Sequence, residues 1–479
     1  MKIFPCFLYL LSVIIISIYN KKLKQLEESE DKKYLEYSFK RNLNLKNNIE
    51  PLEFFTTYFY NQLYINMKVG SKKVEIPFYF YLQQYPFTLQ SSNVDEKQVK
   101  GIYDELKSTT YEKLEESKYF EKGDLEEGIL SKDNFYLNDN TQSFLKFYLS
   151  KKTYIDSLKI NGGKIGFKLT PDYSESKESS FVHNLKENNI ISNNILTFKY
   201  DSKIMDEDSG KLYIGTYPHF YNEFQYNKDD YISNYVRKGY EDFDWIYFFD
   251  EVKLGGEKFD LAKEAFFYSE LGFIIGTNNF FDRLNKSSAW HEYLYINKKC
   301  FKQPFRIDDF EANDYNFRFL FEFTGYYCNK DVNVEKLDIG EISFINKNLE
   351  YSFNLTMKDL WIEKNGKKFF MIIQTLDIEN NWYFGKPFFK KHQIVFDYDN
   401  KVIGIYKYIN ETAEERKGNN PRGKDRSVIL YVSIIIILVL IIIGLAFLLI
   451  KCYYLLPRKN RANELTDDNY DYTDEGINN

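Results

Sequence analysis

From Val428 to Ile450 the chain reads VILYVSIIIILVLIIIGLAFLLI, a stretch without a single charge. At a rise of about 1.5 Å per residue it is long enough to cross a hydrocarbon core of about 30 Å, so a single membrane span is expected at 428–450. The folded part of such a chain has to lie on one side of that span, and the other end of the sequence says which. Met1 and Lys2 precede an apolar run from Ile3 to about Tyr19 that stops at Asn20, Lys21 and Lys22. That is the layout of a secretory signal at 1–20, although an uncleaved signal anchor fits the same residues. Lys451, Arg458, Lys459 and Arg461 follow the span and suit a cytosolic flank, but Arg422, Lys424 and Arg426 precede it, so charge alone leaves the orientation open. With the N-terminal signal, the simplest topology is single-pass type I, in the secretory pathway or plasma membrane. The middle of the chain is then lumenal or extracellular, 409–427 is a stalk, and 451–479 is a cytosolic tail.

A secreted middle carries chemical expectations of its own. Sequons stand at Asn285, Asn354 and Asn410, each a glycosylation candidate. Of the four cysteines, Cys6 and Cys452 lie in or beside the apolar segments, leaving Cys300 and Cys328. In an oxidising compartment these two bridge and close a local loop; otherwise they are a pair of buried thiols. Tyr453 to Leu456, YYLL, has the spacing of a sorting motif, with an interfacial aromatic belt as the plainer reading.

Several function classes drop out. The 64 basic and 70 acidic residues are interspersed and sum to a net charge of −6, which gives no basic stripe for nucleic acid. His183, His219, His291 and His392 are scattered, and no H-E-x-x-H, C-x-x-C, phosphate-binding glycine loop or G-x-S-x-G elbow occurs. No metal site and no cofactor is implied. With 42 Tyr and 43 Phe in 479 residues, no single aromatic residue counts as a signal.

Residues 21–53 are charged and polar and read as a lead-in or pro-segment. From Phe54 to about Tyr408 short alternating runs such as LYINMKVG, KLYIGTYP and HQIVFDYDNKVIGIY are broken by Asn, Asp and Gly, which makes the class mainly β. One segment departs from that rhythm. Ser180 to Asn189 places Phe181, Leu185 and Asn188 at helical spacing and predicts a short surface helix.

The order and punctuation of these runs resemble the pepsin-like aspartic peptidases. Tyr64 to Gly70 is similar to the strand ahead of that family's first catalytic loop, and Gly128 to Leu137 to the strand after its flap hairpin. Gly162 to Leu169, GGKIGFKL, is similar to the strand beneath the first loop, with Gly162 where the family usually has Asp. Gly210, Leu212 and Gly215 carry a G-x-L-x-x-G strand, and Trp245 to Asp260 looks like the opening of the second lobe. Trp382, Gly385, Phe388, Ile394, Phe396, Asp397, Asn400, Ile403 and Gly404 fill the specific closing pattern. The resemblance implies a bilobal acid-protease fold at 54–408, two β-barrel-like lobes at about 54–235 and 236–408 with a central cleft.

In that family two D-T/S-G loops, one per lobe, set two carboxylates face to face. They share a proton, one activating water while the other polarises the peptide carbonyl. The resemblance puts Tyr81 and Tyr268 at those two positions. Leu82 and Gln83 stand for Thr and Gly in the first loop, Ser269 and Glu270 in the second. A phenol ionises near 10, so it offers a hydroxyl and no carboxylate base at acidic or neutral pH. Both loop glycines, which let the backbone turn tightly, are replaced by Gln83 and Glu270. The flap's usual Tyr falls near Phe120 or Glu121, and Thr88 stands where many members carry Trp. Neither Glu270 nor Asp95 supplies a matched partner for a second carboxylate. The two tyrosines could fill the space that the dyad and its water leave, or could simply reflect an aromatic-rich chain.

The expectation is a membrane-anchored homologue lacking both catalytic Asp, with no catalytic residue, that binds a peptide or protein in or near the cleft. An active aspartic endopeptidase is the alternative if the loops are misaligned. A surface or organelle protein recognised through its glycans or tail is a third reading.

Overall fold

A computed structural model describes residues 33–41, 49–82, 87–93, 102–114, 118–119, 126–153, 162–169, 180–201, 208–236, 245–260, 264–307, 321–337, 340–375 and 381–409, together with Leu449. The chain divides into two compact units, Met1–Ile409 and Asn410–Asn479. Gln83, Asp95, Phe120, Glu121 and Asn410 lie outside the described residues, as do the proposed signal, the stalk, the cytosolic tail and all of 428–450 but Leu449. Among the described residues no helix is long and apolar enough to cross a membrane.

The first unit is mainly β. Among the described residues its strands form sheets of fourteen, nine and four strands. The largest runs from Leu35–Arg41 through Tyr231–Tyr235 in sequence and then recruits the last two strands, Val395–Asp397 and Val402–Tyr406. The other two sheets hold the strands between Ile246 and Phe384. Sheet membership therefore changes between Tyr235 and Ile246 and changes back at Val395.

Each half repeats one strand pattern. In the first, Val74–Tyr81 lies parallel to Gly163–Gly166, which lies antiparallel to Phe87–Gln90, which lies parallel to Gln142–Thr153. In the second, Glu264–Phe267 lies parallel to Trp382–Phe384, which lies antiparallel to Ile274–Gly276, which lies parallel to Ile372–Thr375. A short helix follows in both, Phe181–Glu187 and Lys386–Lys391, each leading into a pair of antiparallel strands. These two pairs join one another through Ile195–Tyr200 and Val395–Asp397, so one continuous sheet ties the halves together.

Three expectations need correcting. Residues 35–41, assigned to a polar lead-in, are an inner strand of the large sheet, paired to Ser209–Ile214 on one side and Leu63–Val69 on the other. Leu35, Tyr37 and Phe39 are buried while Glu36, Ser38 and Lys40 are exposed, the alternation of a half-buried strand. The aromatic run at Phe54, read as the start of the β region, is the helix Pro51–Phe59. Pro51 sits in its first turn, where a missing N–H costs nothing, and Phe54, Phe55, Tyr58 and Phe59 share one buried face. The helix at Phe181–Glu187 forms where expected, with the Ser180 hydroxyl accepting from the His183 N–H at 3.5 Å. It is not a surface helix, since Phe181, Val182, Asn184 and Leu185 are all buried.

Candidate functional site

Tyr81 and Tyr268 take the same place in the two repeats. Tyr81 is the last residue of its strand and pairs in register with Gly166. Tyr268 follows Phe267, whose register partner is Phe384, one residue before Gly385. The backbone holds each in turn: Phe167 N–H donates to Tyr81 C=O at 2.7 Å, and Tyr268 N–H donates to Phe384 C=O at 2.9 Å. The side chains join different clusters. Tyr81 is buried with Tyr79 against Tyr64. Tyr268 packs on the cluster around the Pro51–Phe59 helix, its ring 5.7 Å from that of Tyr383.

The loop after Tyr268 is closed by a segment of the same chain. Asn61 N–H donates to Glu270 C=O at 2.6 Å, Gly272 N–H donates to Phe59 C=O at 2.7 Å, and Tyr60 and Leu271 form an antiparallel bridge. Phe59 to Asn61 thus lie along Glu270 to Gly272 as an added strand, the mode by which a protein commonly takes an extended peptide. The fit is tight. A Cβ on Gly272 would come within 1.8 Å of Tyr58 O, and one on Gly385 within 2.1 Å of Phe273 O. Asn61 anchors the segment further, its Nδ2 donating to Ser269 O at 3.0 Å and to the Tyr200 hydroxyl at 3.1 Å.

One carboxylate stands at the junction of the two loops. Glu270 Oε2 accepts from Leu82 N–H at 3.3 Å, across from one half to the other, and from the Ser269 hydroxyl at 3.2 Å. Beside it Tyr60–Leu63, Tyr79–Tyr81 and Glu270 enclose about 10 Å³. That is room for about one water.

Beneath the segment lies a charged cluster that sequence reasoning missed. Arg41 Nη2 donates to the carbonyls of Tyr58 at 3.2 Å and Tyr60 at 3.0 Å, while Nη1 pairs with Asp208 at 3.1 Å. Lys386, wholly buried, reaches Asp208 at 2.5 Å and donates to the Tyr58 hydroxyl at 2.7 Å. Burial, and then the neighbouring Arg41 charge, hold the Lys386 ammonium well below the usual lysine range, against the pull of Asp208. The available signal was Lys386 itself, a lysine directly after the closing-pattern Gly385 on a helix that the pattern buries.

The remaining candidates fall elsewhere. Cys300 and Cys328 are bonded, and they face each other in register on the hairpin Cys300–Ile307 and Phe321–Asn329. Lys118–Tyr119 pairs antiparallel with Glu127 and Gly128. Thr88 is buried. Asn285 sits half-buried on the helix Asn278–Lys286, and Asn354 half-buried on the edge strand Tyr351–Leu355. Among the described residues no group of three or more His, Cys, Asp or Glu could hold a metal ion.

A family model, eukaryotic aspartyl protease, matches residues 87–408. The match begins beyond Tyr81 and includes Tyr268. Among curated proteins no relative matches the chain.

Proposed function

The chain belongs to the eukaryotic aspartyl protease family, and from that premise we propose that it is a membrane-anchored member that has lost peptide hydrolysis and acts by binding. The observation that carries this reading is the chemistry at the two loops. Tyr81 and Tyr268 occupy equivalent positions in the repeats, and the carboxylate at their junction, Glu270, already accepts from Leu82 N–H and the Ser269 hydroxyl. A shared-proton dyad needs two close carboxylates, and the two equivalent positions carry phenols, while the cavity of about 10 Å³ beside Glu270 has room for about one water.

The ligand is a peptide or protein segment that meets the rim of the cleft, because Phe59 and Asn61 already engage the backbone groups of Glu270 and Gly272. The apolar run 428–450 tethers the protein as a single-pass type I chain in the secretory pathway or plasma membrane, with Asn285, Asn354 and Asn410 as acceptors for glycans. The test is to incubate the purified full chain with a diverse peptide library from about pH 3 to 7, with and without a statine-type inhibitor. No inhibitor-sensitive cleavage is expected at any pH. Such cleavage would restore the alternative, an active aspartic endopeptidase.

A further inference from the structure

The sheet that ties the two halves together has unlike faces. Leu196, Phe198, Phe396, Ile403 and Ile405 point into the main core. On the other face Ile195, Val395 and Tyr406 are covered by a layer of tyrosines contributed by residues 217–231. The layer is continuous: Tyr213 and Tyr221 stack at 3.9 Å, Tyr221 meets Tyr226 at 6.2 Å, and Tyr226 meets Tyr406 at 5.0 Å. Burial raises the pKa of Tyr213, Tyr221 and Tyr406, so these phenols stay neutral.

The rim of this layer is exposed and aromatic. Tyr34 is 39 % exposed, Phe220 38 %, Phe224 64 % and Tyr408 74 %. Tyr34 touches the layer through Tyr221 at 5.9 Å, and Phe220 through His219 at 4.2 Å. The chain leaves the first unit here, at Ile409, which bridges to Tyr226, and residues 410–427 separate that point from the apolar run 428–450. Exposed aromatic side chains beside the point where the chain leaves the unit mark an interaction surface, and rings with a polar edge favour the headgroup layer of a bilayer. The flanking exposed charges, Glu223 and Asp229 against Lys228, are mixed, so apolar contact and not charge would hold the surface there.

We infer that this aromatic rim rests on the headgroup layer of the membrane to which the chain is tethered. The partner is a zwitterionic lipid surface. The inference rests on the membrane-anchored reading above, and it adds an orientation: the tyrosine-covered face of the sheet turned to the bilayer.

The experiment uses the full chain in phosphatidylcholine vesicles, with Cys6→Ser and Cys452→Ser leaving no free thiol. A spin label is placed at Phe224→Cys or Tyr408→Cys, and, as control, at Leu106→Cys, an 81 % exposed site on the turn Glu105–Lys107. Flotation reports tethering, and the ratio of oxygen to nickel-chelate collision reports immersion of the label. The protein is expected to float, with that ratio raised about threefold at 224 and 408 over 106. Flotation with equal ratios at all three sites would overturn the docking surface while leaving the anchor in place. A protein that does not float would overturn both. Dipolar broadening between labels at 224, with no gain in oxygen access, would assign the rim to a second copy of the chain and likewise end the lipid reading.

Discussion

Gly272 shows how narrow the tolerance is in the loop that follows Tyr268. Its missing Cβ leaves space for Tyr58 O, and a methyl there would sit 1.8 Å from that oxygen, so the Phe59–Asn61 segment could not keep both of its backbone bonds. Gly272→Ala should therefore cost about 3 kcal/mol, the upper range for overpacking, read as a lower urea midpoint at unchanged slope. Lys386 makes a prediction of opposite character. Its folded pKa is lowered below the unfolded value, so over the interval between the two the unfolded chain binds the extra proton and stability rises with pH. Urea midpoints of the native protein should climb toward about pH 10, and Lys386→Met should flatten that climb. An equal climb in the variant would assign it to other groups. Removing Asp208 instead would leave the buried Arg41 guanidinium without its counter-charge, and truncating one partner of a buried pair is the costlier change.

At the level of elements, the hairpin Cys300–Ile307 and Phe321–Asn329 and the helix Pro51–Phe59 depend on each other. Phe55 stacks on Phe305 at 5.4 Å, and a Cβ on Gly325 would meet the Phe55 ring at 2.3 Å. The disulfide closes the hairpin across a separation of 28 residues. By loop closure its removal in Cys300→Ala, Cys328→Ala should lower stability by about 3.5 kcal/mol, measurable in the same denaturant series. The pairing of these cysteines was open to sequence reasoning because only two of the four lay away from apolar segments. The helix Phe181–Glu187 was legible from its spacing, and the closing strands from Trp382 to Gly404. The helix Pro51–Phe59 was not, because what holds it is a hairpin some 250 residues away, and local propensity carries no record of such a partner. The strand Leu35–Arg41 did leave a trace, the alternation of Leu35, Tyr37 and Phe39, but it stands among charged neighbours that read as solvated chain. Tyr81 and Tyr268, placed in sequence by counting from motifs, fall at equivalent registers of the two repeats. The segment that lies along the second loop could not be placed in that way, since Phe59 to Asn61 are ordinary residues until the fold brings them to Glu270.

Over the whole molecule the abundance of tyrosine becomes a thermodynamic property. Tyr37, Tyr103, Tyr213, Tyr247, Tyr326 and Tyr406 are buried, and burial is the leading reason that each is raised above the ordinary phenol value of 10.0. Asp133 adds to the rise at Tyr103, whose hydroxyl donates to that carboxylate. The sign is fixed by linkage. Below pH 10 both states keep these protons. Above it the unfolded chain gives them up while the folded chain retains them, so stability falls as pH rises. Each group contributes at most about 1.4 kcal/mol per pH unit, and six together reach about 8 kcal/mol per unit, comparable with the entire stability of an ordinary domain at about 5–15 kcal/mol. The first unit should therefore unfold in one step within about a pH unit above 10. Tyrosinate absorbance should follow that step, with the buried phenols titrating together and the near-ultraviolet circular dichroism lost over the same interval. A gradual titration that ran to completion with the circular dichroism intact would mean that water reaches these rings in the folded state. With Lys386 acting in the other direction below pH 10, stability should peak just short of that pH, and a maximum near neutrality would count against both assignments.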